Sequence, residues 1–244
     1  MGGIAIVQDI SERKRIDRMK NEFVSTISHE LRTPLTSVSG ALALIAGGAL
    51  GGIPVQAKQM IEIACRNSQR LTYIINDLLD MEKLAAGKMH FDMQRQALMP
   101  LIEQSIESIR IYGTDRHVKL VLTSTAPQAE AMVDSQRMLQ ILFNLLSNAI
   151  KYSPEGGTVE IAAQTQGSEV RVAVTDHGPG IPAQFRDRIF QKFFQADSSD
   201  SRQKGGTGLG LAITRELVER MGGRIGFDSV EGQGASFYFV MSLA

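Results

Sequence analysis

The chain has 244 residues, of which 43% are hydrophobic and 21% are charged, the composition of an ordinary globular protein. Its 26 basic residues are balanced by 26 acidic ones, which argues against a surface that grips nucleic-acid phosphates. Cys65 is the single cysteine, so an intrachain disulfide is excluded.

The most apolar run, residues 41–55, is broken by glycines and a proline and is too short to span a membrane. The first residues lack the basic and then apolar pattern of a signal peptide. We therefore expect a cytoplasmic fragment without membrane contact, and any membrane anchor of a longer protein would lie upstream.

Residues 11–88 have a helical pattern with one interruption at residues 46–54. Apolar residues recur at steps of three and four on both sides of it, as in a coiled coil or helical bundle. We expect the two helices to pack as an antiparallel hairpin. Two helices cannot enclose both stripes, so the pattern predicts a dimeric four-helix bundle and therefore a homodimer. The stripes comprise Leu31, Leu35, Val38, Leu42 and Ile45, and then Leu71, Ile74, Leu78, Met81 and Ala85.

Near His29 and Pro34 the apolar spacing becomes four repeatedly, so the stripe drifts around the helix. Pro34 lacks a backbone N–H and can kink a helix. We therefore predict a bend just after His29, at which the helix can hinge.

From about residue 90 the pattern changes to strands and amphipathic helices. Separate runs of each, with two neighbouring strands joined near Gly167, predict an α/β sandwich with a mixed or largely antiparallel sheet. Residues 11–88 and 89–244 are thus predicted to be separate domains, and residues 186–206 a mobile loop. The predicted strands are 119–123, 158–165, 169–176, 224–228 and 236–242, and the predicted helices are 99–111, 135–152 and 209–221.

The first segment with chemical potential runs from His29 to Pro34. On a helix, His29 and Thr33 lie one turn apart on the same face, and Glu30 is adjacent to the histidine. An imidazole attacks through one nitrogen when a carboxylate orients the proton on the other. A His-Glu pair also occurs on ordinary charged helix faces, so this segment alone is weak.

The second segment runs from Asn144 to Tyr152 and is amphipathic. Asn144 and Asn148 stand one turn apart on one helical face, with Lys151 and Tyr152 on the next turn. Amides on such a face usually meet only water. Their carbonyl oxygens also suit a magnesium ion that takes its other ligands from water and nucleotide phosphates.

The third segment, from Asp176 to Ala183, follows a predicted strand and formally satisfies the glycine pattern of a dinucleotide-binding turn. We reject that interpretation because Pro179 and Pro182 remove backbone donors and no second strand-helix-strand unit follows. Asp176 is better interpreted as an acceptor for an exocyclic amine such as that of adenine. The alternative is that it only anchors the turn.

The fourth segment, from Gly205 to Ile213, is rich in glycine and runs into an amphipathic helix. Backbone N–H groups at such a helix start, together with the helix dipole, favour phosphate oxygens. The lysine and the spacing of a P-loop are absent from this segment. Glycine-rich turns before helices are common, so one copy is only suggestive.

Aromatic and basic residues lie around the third and fourth segments. Phe190, Phe193 and Phe194 recur at steps of three and four, and we interpret them as one aromatic face that anchors the loop. Nearby cations can screen phosphate charge, although scattered surface cations often do nothing specific. These cations are Arg188, Lys192, Arg202 and Lys204.

The order and spacing of the segments are together far more specific than any one of them. They resemble the histidine, asparagine, first glycine, phenylalanine and second glycine boxes of sensor histidine kinases, over nearly the whole chain. The helical hairpin resembles the dimerisation and phosphoacceptor domain of that family, and the α/β domain resembles its ATP-binding domain. Residues 1–10 resemble the end of a PAS sensory domain.

By that resemblance His29 is the phosphoacceptor, Glu30 its base, and Thr33 the residue that positions water during dephosphorylation of a partner. Asn148 corresponds to the magnesium ligand and Asp176 to the residue that recognises adenine. The other nucleotide-site positions implied by the resemblance are Asn144, Lys151, Tyr152, Gly178, Gly180, Gly206, Thr207, Gly208, Leu209 and Gly210.

One departure concerns the γ-phosphate. Many members of the family carry an arginine directly after the phenylalanine box, where this sequence has Gln195. The cation that meets the γ-phosphate is therefore open among Lys192, Arg202 and Lys204.

The resemblance implies a protein-histidine kinase that uses ATP and Mg²⁺ to phosphorylate its own histidine. The phosphoryl group would pass to an aspartate in the receiver domain of a response regulator, with phosphatase activity as a second expectation. A PAS or other sensory domain is the expected upstream partner. Because His29 and the nucleotide site lie in different domains, hinging near Pro34 and Gly87 is expected to bring them together.

Two alternatives stay open. An ATPase of the same nucleotide-binding superfamily, such as a chaperone or repair protein, would clamp on ATP without a phosphohistidine and would not need His29. A degenerate scaffold would dimerise and bind partners without catalysis. The presence of Asn148, Asp176 and both glycine segments argues against the scaffold, whereas Gln195 keeps it open.

Overall fold

The computed structural model describes residues 31, 33–48, 51, 53–114, 117–195 and 207–244. The chain divides into two compact units, Met1–Met89 and His90–Ala244. In the described part, none of the helices has the length and apolar character needed to cross a bilayer.

Two helices make up the described part of the first unit. Helix α1 covers residues 33–46, and helix α2 is Val55–Ala85. Pro54 directly precedes α2 with a φ of −56°, a backbone angle that suits the start of a helix. Ser39 Oγ and Ser68 Oγ lie 2.6 Å apart and join the two helices through a hydrogen bond. The predicted helical hairpin is confirmed.

The apolar face that α2 buries within one chain differs from the predicted stripe. Leu79 and Leu84 are buried, whereas Leu71 is 45% exposed. Of the predicted stripe, only Met81 is buried. The difference arises because α2 carries apolar residues on more than one face, and spacing alone does not say which face is used inside the chain. Other apolar side chains of this unit are also exposed in the single chain: Leu31, Val38, Leu44, Val55, Met60 and Ile63.

The second unit is an α/β sandwich. Its strands, in the described part of the chain, are β1 (Gln94–Ala97), β2 (Lys119–Ser124), β3 (Glu130–Val133), β4 (Thr158–Gln166), β5 (Glu169–Asp176), β6 (Arg224–Val230) and β7 (Gly234–Ser242). Its helices there are α3 (Leu98–Thr114), α4 (Ser135–Tyr152) and α5 (Gly210–Arg220), with a 3-10 helix at Ala183–Arg188.

The main sheet of this unit has the strand order β2-β4-β5-β7-β6. β2 and β4 pair in parallel, and the other neighbours pair antiparallel, so the predicted mixed sheet is confirmed. A separate small sheet pairs β1 with β3. Both of its strands and the 3-10 helix are missing from the prediction, because segments of four to six residues carry too little periodicity to stand out.

Helix α4 is the central helix and packs against α3, α5 and β5. Its apolar residues bury one side, and the asparagines of the second segment lie outside that buried set. Asp134 caps its start, since Asp134 Oδ1 accepts a hydrogen bond from Arg137 N–H at 3.1 Å. Asp134 Oδ2 also accepts one from Asp92 N–H at 2.9 Å, which ties the beginning of the second unit to α4.

Candidate functional site

The residues proposed for phosphoryl acceptance are only partly described. His29 and Glu30 lie outside the described residues, and so do residues 1–10. Thr33 is an exposed residue of α1, and its carbonyl accepts a hydrogen bond from Ser37 Oγ at 3.3 Å. Arg202, Lys204 and Gly206 also fall outside the described residues. The remaining predicted site residues belong to the second unit.

The two asparagines of α4 have different surroundings, although both are half-buried. Asn144 Nδ2 donates to the Gly210 carbonyl at 3.4 Å and to Thr214 Oγ1 at 3.3 Å. Thr214 is 0% exposed, and its hydroxyl donates to the same carbonyl at 2.8 Å. The Asn148 side chain makes no hydrogen bond to any residue that the structure describes. Asn144 therefore joins α4 to the first turn of α5, whereas the Asn148 amide is available to a ligand.

The end of α4 meets the turn that follows β5. The Tyr152 carbonyl lies so close to Gly178 that a Cβ at position 178 would overlap it. Lys151 Nζ stands 4.8 Å from the centre of the Tyr152 ring, a cation–π contact on a partly exposed aromatic side chain. Three predicted site residues, Lys151, Tyr152 and Gly178, are thus brought together at one end of α4.

Asp176 ends β5 and is only 4% exposed. Its Oδ1 accepts a hydrogen bond from Gly178 N–H at 2.9 Å. Burial raises the pKa of the Asp176 carboxyl, while hydrogen bonds from the N–H groups of Gly178 and Ala235 and the charge of His177 act in the opposite direction. A buried carboxylate with acceptor capacity remaining is suited to a ligand that donates a hydrogen bond.

The turn after Asp176 is held by the β6–β7 hairpin. Gly180 has a φ of +68°, and a Cβ there would overlap the Val230 carbonyl, so this position requires glycine. Gly232 N–H donates to the Pro179 carbonyl at 2.7 Å, and Ile181 N–H donates to Ser229 Oγ at 2.9 Å. The turn is therefore fixed by the hairpin and does not behave as an independent loop.

The start of α5 forms the other side of the site. Gly208 has a φ of +69° and packs so tightly on Phe193 that no side chain fits there. Its carbonyl accepts a hydrogen bond from Phe193 N–H at 2.9 Å. Leu209 N–H donates to Thr207 Oγ1 at 3.0 Å. Leu209, which precedes Gly210 at the helix start, contributes no side-chain cap to α5.

The prediction of one aromatic face is wrong. Phe190 packs on Phe227 and Phe237, with ring centres 6.1 and 6.4 Å away, and Phe194 packs on Phe185 at 5.6 Å. Phe193 is 67% exposed and has a φ of +62°. A left-handed residue interrupts helical geometry, so helical spacing does not apply across it. The adjacent Lys192 is exposed.

Three residues of this region were missed by reasoning from the sequence. Thr214 and Ser229 are ordinary polar residues in a helix and a strand, and nothing local marks them. Gly234 has a φ of +98°, and a Cβ there would overlap the Asp176 carbonyl. The two glycines spaced around Gln233 were a usable signal, because they indicate a tight hairpin.

Comparison with known proteins follows the same division of the chain. Residues 19–87 match the model of the His Kinase A (phospho-acceptor) domain. Residues 133–244 match the model of the histidine kinase-, DNA gyrase B- and HSP90-like ATPase family. The first match separates the chain from clamp ATPases that share only the nucleotide-binding domain.

Similar curated proteins include the sensor histidine kinase WalK of Bacillus subtilis, 34% identical over 98% of this chain and 39% of WalK. The alginate biosynthesis sensor protein KinB of Pseudomonas aeruginosa is 34% identical over 99% of this chain and 40% of KinB. The histidine-protein kinase BarA of Escherichia coli is 37% identical over 93% of this chain and 25% of BarA. The chain thus spans about two fifths of the length of the first two relatives.

Solved structures agree with this assignment. Full-length ShkA in complex with AMPPNP superposes with a TM-score of 0.72 at 30% identity, covering 91% of this chain and 46% of ShkA. The catalytic domain of histidine kinase ThkA superposes with a TM-score of 0.55 at 29% identity, covering 64% of this chain and 97% of that domain. With a phospho-acceptor domain followed by an ATPase domain of the histidine kinase type, the chain belongs to the sensor histidine kinases.

Proposed function

We propose that the second unit binds ATP with its adenine at Asp176 and a magnesium ion at Asn148, and that the chain transfers the γ-phosphoryl group to His29. The observation that carries this proposal is the buried Asp176 carboxylate, which two backbone N–H groups hold beside the end of α4. The AMPPNP complex of the similar ShkA supports a nucleotide at this domain.

At the base end, the Asp176 carboxylate accepts a hydrogen bond from the exocyclic amine of adenine. Burial makes this contact selective, because a base that lacks the donor leaves a desolvated carboxylate unsatisfied. Gly178 and Gly180 allow close backbone contacts at the turn, where a Cβ would overlap Tyr152 or Val230. The exposed face of Tyr152 and the neighbouring Lys151 border the same position.

At the phosphate end, the Asn148 amide oxygen is the proposed magnesium ligand. Among the described residues no cluster of three or more His, Cys, Asp or Glu could hold a metal. Asn148 suits magnesium nonetheless, because this ion keeps several waters and takes other ligands from phosphates. Once bound, magnesium would supply charge stabilisation at the phosphates. Asn144 holds α5 against α4, so the helix start at Gly210 and the turn at Thr207, Gly208 and Leu209 face phosphate at a fixed position.

The cation at the γ-phosphate is proposed to come from Lys192, Arg202 or Lys204, and Gly206 is a further proposed residue of the nucleotide site. Lys192 is exposed and lies one residue before Phe193, whose N–H is bonded to Gly208. Its long side chain can therefore reach toward the start of α5 without moving the backbone. All three cations belong to the proposed loop at residues 186–206.

His29 is the proposed phosphoryl acceptor, Glu30 its base, and Thr33 the residue that positions water during dephosphorylation of the partner. The receiver domain of a response regulator would take the phosphoryl group on an aspartate, and a PAS or other sensory domain would act upstream. The exposed apolar side chains of α1 and α2 support a homodimer, because surfaces of this kind mark interfaces. Residues 11–88 and 89–244 are the proposed functional domains, and residues 1–10 are proposed to correspond to the end of a PAS domain.

The test is phosphorylation of the purified chain with γ-labelled ATP and magnesium, compared with His29→Gln. Label that is stable to base and labile to acid is expected in the wild type and absent from the variant. Adenine nucleotide binding should be the same in both proteins, which controls for folding. Acid-labile label persisting in His29→Gln would sink the assignment of His29, and no label in either protein would favour the scaffold alternative.

A further inference from the structure

Ser229 lies in β6 beside the turn that carries Asp176, and its hydroxyl contacts two separate parts of the site. Ser229 Oγ accepts a hydrogen bond from Ile181 N–H at 2.9 Å and donates one to the Gly234 carbonyl at 2.7 Å. The Ser229 carbonyl accepts a further bond from Arg186 at 2.6 Å. One serine thus connects β6, the end of the turn and the β6–β7 hairpin.

The contact with Gly234 leads directly to Asp176. The Gly234 carbonyl and the Ala235 N–H belong to one planar peptide unit, so a bond that orients the carbonyl also orients the N–H. That N–H donates to the Asp176 carboxylate. The strand register agrees, since Ser229 is opposite Ala235 and Ala235 is opposite Asp176.

The contact with Ile181 fixes the other end of the same turn. Asp176 Oδ1 accepts from Gly178 N–H, and three residues later the chain is bonded to Ser229. The Ser229 hydroxyl therefore holds the far end of the turn directly, and it is linked to the Asp176 end through the Gly234–Ala235 peptide. Loss of the Ser229 hydroxyl would remove its hydrogen bonds with the Ile181 N–H and the Gly234 carbonyl. The Asp176 carboxylate would then no longer be held in a fixed orientation.

We propose that Ser229 is a positioning residue for adenine recognition, which acts by fixing the Gly234–Ala235 peptide and the Ile181 N–H around the Asp176 carboxylate. It acts through these groups and does not touch the nucleotide. This inference rests on the proposed role of Asp176 as the adenine acceptor.

The test compares the affinities of two nucleotides, ATP and the triphosphate of purine riboside, which lacks the exocyclic amine. Calorimetry on the whole chain should show that Ser229→Ala raises the Kd for ATP about five- to tenfold. The Kd for the analogue should stay unchanged, so the preference for ATP falls by the same factor. Ser229→Thr, which keeps the hydroxyl, should retain the preference.

Ser236→Ala is the matched control. Ser236 Oγ lies 2.8 Å from Thr175 Oγ1 on neighbouring strands of the same sheet, so the change also removes one serine hydrogen bond. It leaves the turn untouched, and the preference for ATP should persist. The pair Ser229→Thr and Ser229→Val, which differ only in the hydroxyl, repeats the test if the alanine variant does not fold.

An equal loss of affinity for both nucleotides would mean that Ser229 supports the fold only, and would overturn the inference. An unchanged preference in both Ser229→Ala and Ser229→Val, or the same loss in Ser236→Ala, would overturn it as well. A wild-type chain that binds both nucleotides equally would overturn the adenine role of Asp176 itself. If the wild type shows no preference for ATP over the analogue, the role of Asp176 has failed. If the wild type shows the preference and the Ser229 variants keep it, only the role of Ser229 has failed.

Discussion

The base end and the phosphate end of the proposed nucleotide site are built in opposite ways. Around Asp176 the polar groups are bonded within the protein, and the turn is fixed to the β6–β7 hairpin. The phosphate end has the exposed Lys192, a helix start without a side-chain cap, and Asn148 with no partner among the described residues. Adenine is neutral and is recognised through its exocyclic amine, so it needs a fixed, desolvated acceptor. The delocalised negative charge of the phosphates interacts with cations at longer range.

Asn148→Ala should produce the largest effect and should affect the phosphate end alone. Removal of the proposed magnesium ligand is expected to lower autophosphorylation by roughly a hundredfold or more. Binding of adenosine, which lacks phosphates, should stay near the wild-type value. Incorporation of labelled phosphate and calorimetry with adenosine measure the two ends separately.

Ser147→Ala on the same helix is the control, since Ser147 Oγ bonds only the Asn144 carbonyl at 3.2 Å among the described residues. It should retain both phosphorylation and adenosine binding. Weakened adenosine binding in Asn148→Ala would contradict the separation of the two ends.

Asp176→Asn is the corresponding change at the base end. The amide can still accept from Gly178 and Ala235, but its NH₂ group then meets the amine of adenine with a second donor. We expect the Kd for ATP to rise about tenfold to a hundredfold, the usual range for a hydrogen bond to a charged group. The inhibition constant of inorganic triphosphate, measured by competition with ATP, should be the same for the wild type and for Asp176→Asn. A parallel loss of triphosphate competition would mean that the base end supports the phosphate end.

Thr214→Val tests the joint between α4 and α5 with a smaller change. The side chain keeps its shape but loses the hydrogen bonds with Asn144 and the Gly210 carbonyl. The free energy of unfolding should fall by about 1 kcal/mol, and ATP affinity should fall a few-fold while adenosine affinity is kept. A double-mutant cycle with Asn144→Ala should show a coupling energy of about 0.5 kcal/mol or more, and strict additivity would argue against the joint.

The smallest effect concerns pH and the apoprotein. Burial raises the pKa of Asp176, so the folded chain binds this proton more tightly than the unfolded chain does. The contribution of Asp176 to the free energy of unfolding therefore falls as pH rises from its unfolded pKa through its raised folded pKa. Urea unfolding at a series of pH values should show that Asp176→Asn gains stability relative to the wild type as the pH rises through that window. A relative gain on acidification would contradict this sign.

Sequence patterns predicted the elements whose signals are local. The full extent of α4 and β5 follows from amphipathic and alternating spacing, and the prediction of Ser135–Tyr152 and Glu169–Asp176 agrees with the structure. The resemblance to a kinase family also rests on short motifs within single segments.

Features that depend on long-range contacts were not predictable in the same way. The face of α2 that is buried within the chain depends on what packs against it. The prediction of one aromatic face is wrong because Phe193 has a left-handed backbone conformation. Ser229 is distant in sequence from Ile181, yet the sheet brings them within hydrogen-bond distance. The spacing of residue types along the chain does not predict such long-range contacts.

The double role of Asp134 has a consequence for domain exchange. The Asp134 carboxylate accepts a hydrogen bond from the backbone N–H of Asp92 and caps α4. This helix has 18 residues, is about 27 Å long and ends beside the Asp176 turn. The first residues of the second unit therefore help to hold α4, and with it one end of the proposed nucleotide site, in position. A chimaera that fuses a foreign phospho-acceptor hairpin to this ATPase unit should join the parents before His90, so that Asp92 stays with Asp134.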